Sequence, residues 1–251
     1  MMPPALDTLY AAVVSRYDGC GRYARNFVHH KLRRDPVFYD LLRNGRLPDR
    51  GTLIDLGCGY GILPALLVAA VARYAQGDWP PDWPSPPRQL GLHGIDVNDQ
   101  RVRVARRALG AAARIDESDL RDVTLPRCNA VVMLDVLMYM DHPAQEHLLA
   151  AVAAALTPDG VLLMRESDAA SGLSFKITRW LEYGAGCLRG EWRQRLYYRS
   201  AAEWVELLQR LGFTVTSEPM GRGTPFANVL LTARRNSAAP TAVRGPAGFL
   251  C

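Results

Sequence analysis

The run Leu53-Ile54-Asp55-Leu56-Gly57-Cys58-Gly59-Tyr60-Gly61 constrains the fold more than any other part of the chain. An apolar strand over 51–56 passes through three alternate glycines straight into an apolar helix over 62–74. Such a turn lets the backbone approach a ligand closely and presents the unpaired N–H groups of a helix N-terminus. The alternation then continues, with strands expected at 89–95, 114–116, 130–134 and 161–164 and helices at 99–109 and 143–156. Apolar strands alternating with helices argue for a parallel sheet covered on both faces. Two late strands, 213–217 and 228–234, follow a helix over 201–211; the link between them is too short for a crossover helix, so antiparallel pairing is expected.

Ahead of this unit, Leu6, Leu9, Tyr10, Val13, Val14 and Tyr17 recur at helical spacing. A second helix is expected from Arg22 to Arg34 and a third after Pro36, before Gly45 and Pro48 close the region. The expected division is an N-terminal helical cap over 1–50, a sheet domain over 51–235 and a disordered tail over 236–251, rich in Ala, Pro, Gly and Ser. A Pro/Trp-rich insertion over 76–88 reads as a surface loop packing its own tryptophans, ahead of a polyproline ligand.

Composition excludes several classes. With 49% hydrophobic and 22% charged residues the chain is ordinary globular material, and no apolar run approaches the roughly 18 residues of a membrane span. Neither a signal peptide nor a CxxC pair is present, so a cytoplasmic protein with reduced thiols is expected. The net charge of +5 is almost all arginine, spread along the chain and mixed with apolar residues. Nucleic acid is not an expected partner on that basis.

Asp55 narrows the ligand. A carboxylate at the end of the first strand, beside the place a pyrophosphate would occupy, repels phosphate and attracts a cation. The third glycine follows the second by two positions, which fails the dinucleotide spacing. Asp96, ending the next strand in Gly94-Ile95-Asp96-Val97, stands where an acid reaches ribose hydroxyls; an N-cap role is the rival, and Asn98 can serve there instead.

The ordered series Asp55-x-Gly57-x-Gly59-x-Gly61, Asp96, Ser118-Asp119-Leu120 and Leu134-Asp135-Val136-Leu137, with the turn Leu156-Thr157-Pro158-Asp159-Gly160, resembles the class I S-adenosylmethionine-dependent methyltransferases over about residues 51–234. The resemblance implies a Rossmann-like seven-stranded α/β sheet of order 3-2-1-4-5-7-6, strand 7 antiparallel, with S-adenosyl-L-methionine as cofactor. It implies donor contacts from Asp55, Gly57, Cys58, Gly59, Gly61, Asp96 and Val97. Asp119 would bond the adenine amino group beside Leu120, and Asp135, Val136 and the residues to 139 would lie under the methionine part and the acceptor.

The acceptor is less legible, because methyl transfer needs mainly alignment, exclusion of water and removal of a proton where one is lost. Asp135-Val136-Leu137-Met138-Tyr139 is not the Asn/Asp-Pro-Pro-Tyr/Phe of amine methyltransferases, and no Pro-Cys step supports a cytosine nucleophile. No metal site is expected. Candidate catalytic residues are His142, Tyr139 and Glu166, with Asp168 and the pair His29-His30 of the cap as further candidate bases. Aromatic residues and arginines over 169–199 suggest a substrate lid for an aromatic or acidic small molecule, free or tethered to an acyl carrier protein and methylated on oxygen or carbon. Gly21-Arg22-Tyr23-Ala24-Arg25 and Gly223-Thr224-Pro225-Phe226-Ala227-Asn228 faintly resemble aryl-polyene-pathway methyltransferases. An RNA or protein methyltransferase and a non-catalytic donor-binding module are the alternatives.

Overall fold

The computed structural model describes residues 4–172, 175, 195–221, 224 and 226–235. Three helices come first: α1 (Pro4–Ser15), α2 (Arg22–Arg34) and α3 (Pro36–Arg43). The alternating unit follows as β1 (Arg50–Leu56), α4 (Ile62–Ala75), β2 (Gln89–Asp96), α5 (Asp99–Leu109), β3 (Arg114–Glu117), β4 (Cys128–Leu134), α6 (His142–Ala155) and β5 (Leu156–Ser167). It closes with α7 (Ala201–Arg210), β6 (Phe213–Pro219) and β7 (Asn228–Arg235). Most of the lid segment expected over 169–199, with Trp180, Tyr183 and Trp192, and the whole 236–251 tail lie outside the described residues.

The seven strands form one sheet of order β3-β2-β1-β4-β5-β7-β6. β1 to β5 pair in parallel, and β7 runs antiparallel to both β5 and β6. This is the order and the single reversed strand that the motif series implies. Side chains alternate across the strands, so Leu53, Val132 and Leu163 join one core with α1, α4 and α5. Their neighbours Ile54, Val131 and Leu162 face the other way, against Leu149 of α6 and Trp204 of α7. Helix starts follow local chemistry: Asn98 caps α5, so Asp96 is released from that role, and Ser200 with Glu203 makes a capping box on α7.

Two strands are longer than their apolar runs. β4 begins at Cys128, and β5 runs from Leu156 to Ser167, with a register irregularity where Cys128 and Ala130 face Leu156 and Val161. β5 extends past Met164 through Arg165, Glu166 and Ser167, all 4% exposed or less, because each polar group there meets a partner. The Pro/Trp insertion folds at the opposite end of the sheet from the glycine turn. Trp79 and Trp83 pack edge to face at 5.6 Å, Trp83 meets Tyr39 of α3 at 5.3 Å, and Trp79 Nε1 donates to the Pro84 carbonyl at 2.9 Å. The loop thereby fastens α3 to the sheet domain.

Arg165 is the most consequential buried polar residue. Its side chain is 1% exposed, and its guanidinium pairs with Asp35, the N-cap of α3, and with Asp135, the residue after β4. Nε donates to Asp135 Oδ1 at 3.0 Å, and Lys31 of α2 adds 2.8 Å and 3.6 Å contacts to Asp35 and Asp135. Burial by itself opposes charge on Asp35, but Arg165 and Lys31 outweigh it and hold its carboxyl well below the usual carboxylate range.

Removing Arg165 leaves two carboxylates without their main counter-charge. Arg165→Ala is expected to cost about 3–5 kcal/mol in chemical denaturation, whereas Arg25→Ala, which breaks a surface pair with Asp18, should cost a few tenths. A folded pKa below the unfolded one gives stability that is present above about pH 4 and lost as pH falls below it. Asp35→Asn should flatten that acid limb of the pH–stability curve.

Candidate active site at the carboxyl ends of the strands

The glycine turn after β1 is pinned to the end of β2. Gly57 and Cys58 N–H both donate to the Ile95 carbonyl, at 2.8 and 3.0 Å, and Gly59 N–H donates to Asp96 Oδ2 at 2.8 Å. Gly57, Gly59 and Gly61 have φ of 74°, 54° and 73°, the left-handed region open to glycine. Their surroundings differ. A Cβ on Gly57 would stand 2.4 Å from Val136 Cγ2, and one on Gly61 would stand 2.8 Å from Leu109 Cδ1. A Cβ on Gly59 would meet nothing within 4 Å, so the space above that residue is clear for a ligand.

Two acids face this turn. Asp55 is 4% exposed and Asp96 is 6% exposed. Among the described residues, no side chain or backbone group donates to the Asp55 carboxylate. Burial, and then the charge of Asp96, push its carboxyl up to about 7. A cation placed beside this buried acid would favour its ionised form. Asp96 takes N–H donors on both oxygens, from Gly59 and from Asn98 at 2.9 Å, which fixes its carboxylate while leaving lone pairs for hydroxyl groups. Beside it, Val97 is 64% exposed, and Leu120 is buried. Asp119 is half-buried and bonds Arg121 N–H at 2.9 Å. The Cys58 thiol, buried and close to Asp55 and Asp96, is pushed far up and kept neutral. Residues that fit a phosphate-free cationic nucleoside are thus gathered from the ends of β1, β2 and β3.

The loop after β4 forms the next wall. Asp135, at φ 59°, is the one non-glycine among the described residues with positive φ, and its pairing with Arg165 holds it there. Glu166 Oε1 accepts from Val136 and Leu137 N–H at 3.1 and 2.9 Å, so this buried acid shapes the loop. Tyr139 is half-buried, and its carbonyl accepts from Arg121 at 3.0 Å. His142 opens α6, is exposed, and lies edge-on to Tyr197 at 6.0 Å. The His29–His30 pair lies in α2, with His29 pushed down by partial burial and Arg33. Asp135 and Glu166 thus hold Arg165 and backbone amides respectively, and no cluster of three potential metal ligands occurs among the described residues.

Sequence reasoning missed the residues that organise this wall. Gln145, fully buried, donates to the carbonyls of Leu137, Met140 and Tyr197 at 3.0–3.2 Å and accepts from Arg199 Nε at 2.9 Å. Tyr197 N–H donates to the Met138 carbonyl at 2.9 Å, so 195–199 lies strapped across the β4 loop. Two signals were available: one charge ending the apolar run Val161-Leu162-Leu163-Met164, and one amide on the apolar face of α6.

Strand order and motif positions together define a class I, S-adenosylmethionine-dependent methyltransferase. A family model described as a methyltransferase domain matches residues 27–218, and the chain belongs to that family. Comparison with curated proteins gives no match. Among solved structures, an O-methyltransferase family protein from Burkholderia thailandensis aligns at TM-score 0.60 and 18% identity, covering 86% of this chain and 59% of its own. The present chain thus spans about three fifths of that protein's length. Magnesium protoporphyrin IX methyltransferase from Synechocystis PCC 6803, solved with bound S-adenosylhomocysteine, aligns at 0.56 and 19%, covering 88% and 94%. A Mesorhizobium loti S-adenosylmethionine-dependent methyltransferase aligns at 0.54 and 17%, covering 80% and 96%. At these identities the likeness is one of fold. The faint aryl-polyene resemblance finds no support in these comparisons.

The raised Asp55 carboxyl has a direct consequence. A cation bound beside it favours the ionised form, so donor binding near pH 7 should release a proton, and affinity should fall as pH drops below about 7. Titration calorimetry in buffers of differing ionisation heat reads that proton; Asp55→Asn should abolish it. In the ligand-free protein a raised acid has the opposite sign, its stabilisation being lost as pH climbs from about 4 to 7.

Proposed function

We propose that the protein transfers a methyl group from S-adenosylmethionine to a small-molecule acceptor that is aromatic or acidic, free or carrier-bound. The observation that carries this reading is the buried Asp55 carboxylate, without a donor among the described residues, beside Asp96 and the open face of Gly59. When bound, the donor supplies an activated methyl on a sulfonium. Asp55 faces its positive charge, Asp96 holds its ribose hydroxyls, and Val97 and Leu120 flank its base beside Asp119. Asp135 and Val136 form the floor towards the acceptor.

The chain's remaining task is alignment of the acceptor and control of its proton. A carboxylate acceptor is already deprotonated and asks for no base. A hydroxyl acceptor gives its proton to a group at the mouth of the cleft, for which His142 is the candidate through its exposure at the start of α6. Glu166 serves by holding the loop that carries Val136 and Leu137. Tyr139 is placed to line the acceptor side.

Calorimetry with S-adenosylhomocysteine tests the donor half. Gly59→Val fills ligand space only, and should lower affinity by at least about 100-fold with a melting temperature reduced by only the strain of a left-handed valine. Asp96→Ala should weaken binding strongly as well; undiminished affinity in both would overturn the assignment. Isotopically labelled donor offered with a panel of aromatic acids, free and carrier-bound, identifies the acceptor by where label appears.

A further inference from the structure

Helix α2 crosses the cleft that the donor reading defines. Its Phe27 ring lies 5.3 Å from the ring of Tyr60, inside the glycine turn after β1, at an edge-on angle of 63°. One turn later Lys31 reaches Asp135, after β4, at 3.6 Å. The helix therefore bridges the carboxyl ends of the two adjacent central strands. Ala24, Val28 and Leu32 bury one flank of it in the core.

The next flank is not buried. Tyr23 stacks on Phe27 at 6.5 Å and 24°. The two are 71% and 41% exposed, among the most exposed large hydrophobic residues described. The two stacked rings form one solvent-facing aromatic surface on this helix. Spacings of four and seven residues put Tyr23, Phe27 and Arg34 on one helix face. Charge pairing on α2 is selective: Arg25 is matched by Asp18, Arg33 by Asp7 and Lys31 by Asp35. Arg34 has no carboxylate partner among the described residues. A further cation, Arg101, sits beside Tyr60.

We propose that the Tyr23–Phe27 face of α2 is the platform on which the acceptor lies, that the acceptor is a planar apolar molecule bearing an anionic group, and that Arg34 reads that anion. The inference rests on the donor-site reading and adds the acceptor's chemistry and its specificity residues. Aromatic faces stack on planar rings, and an unpaired guanidinium forks onto carboxylate or phosphate oxygens. Charge argues against the other occupants. A second copy would set Arg34 and Arg101 against their own equivalents, and the chain's 176–194 segment carries Lys176, Arg179, Arg189 and Arg193 against Glu182 and Glu191.

The test uses the intact protein saturated with S-adenosylhomocysteine and two isosteric probes, 2-naphthoate and 2-naphthalenemethanol, with binding read by calorimetry. Wild type should bind the anion about tenfold tighter than the alcohol. Arg34→Gln should erase that preference and leave the alcohol's affinity unchanged, while Arg34→Lys keeps part of it. Phe27→Ala and Tyr23→Ala should each weaken both probes severalfold with S-adenosylhomocysteine affinity intact. Equal affinity of wild type for the two probes, or wild-type affinities in Arg34→Gln and Tyr23→Ala, would overturn the platform. Failure of S-adenosylhomocysteine to bind at all would instead overturn the donor reading beneath it.

Discussion

A guanidinium buried in the carboxyl half of β5 sets terms that distant parts of the chain must meet. An arginine that is 1% exposed cannot shed its charge and is costly to dehydrate, so it is tolerated only where carboxylates surround it. Asp35 and Asp135 answer that need from opposite sides, one from the junction of α2 and α3, the other from the corner after β4. The pairing fixes where the N-terminal helices dock and holds Asp135 in a left-handed conformation that an aspartate visits at some cost. The wall of the cleft after β4 and the helix above it are positioned by one side chain.

The two halves of the cleft are built differently. The half at the glycine turn consists of backbone: glycine N–H groups pinned to the end of β2, with two acids placed by adjacent parallel strands. Such a site is dictated locally, since strand, turn and helix follow one another in the chain. The wall after β4 is assembled from segments far apart in sequence. Gln145 of α6 gathers the β4 loop and the 195–199 strap, Glu166 caps two loop amides, and α2 overhangs from the N-terminal region.

Legibility followed this division. Helix α5 and strand β1 were readable almost to the residue, because period, cap and turn residues coincide there. The apolar run predicts a shorter β5, since Arg165, Glu166 and Ser167 look like its end until their partners are known. The tryptophans of the insertion were readable as self-packing, yet their contact with Tyr39 was not. Asp96 was separable from the N-cap role on sequence alone, as Asn98 shows. His142 and Glu166 carried the right chemistry for acid–base work, but only the folded chain shows one exposed at a helix start and the other occupied with loop amides.

By itself, the amino-acid sequence determined the alternating strands and helices and the glycine turn seated between two acid-ended strands, because periodicity and glycine spacing are local properties that survive any packing, while the strand order followed from the family resemblance that the motif series carries. Tertiary structure decided what stands over that turn. Whether Asp35 meets Arg165, whether Phe27 lies on Tyr60, and whether Arg34 finds a carboxylate among the described residues depend on a contact across 130 residues of chain in the first case and on helix docking in all three. Burial and pairing of charge are properties of neighbours in space, and no run of residues contains them.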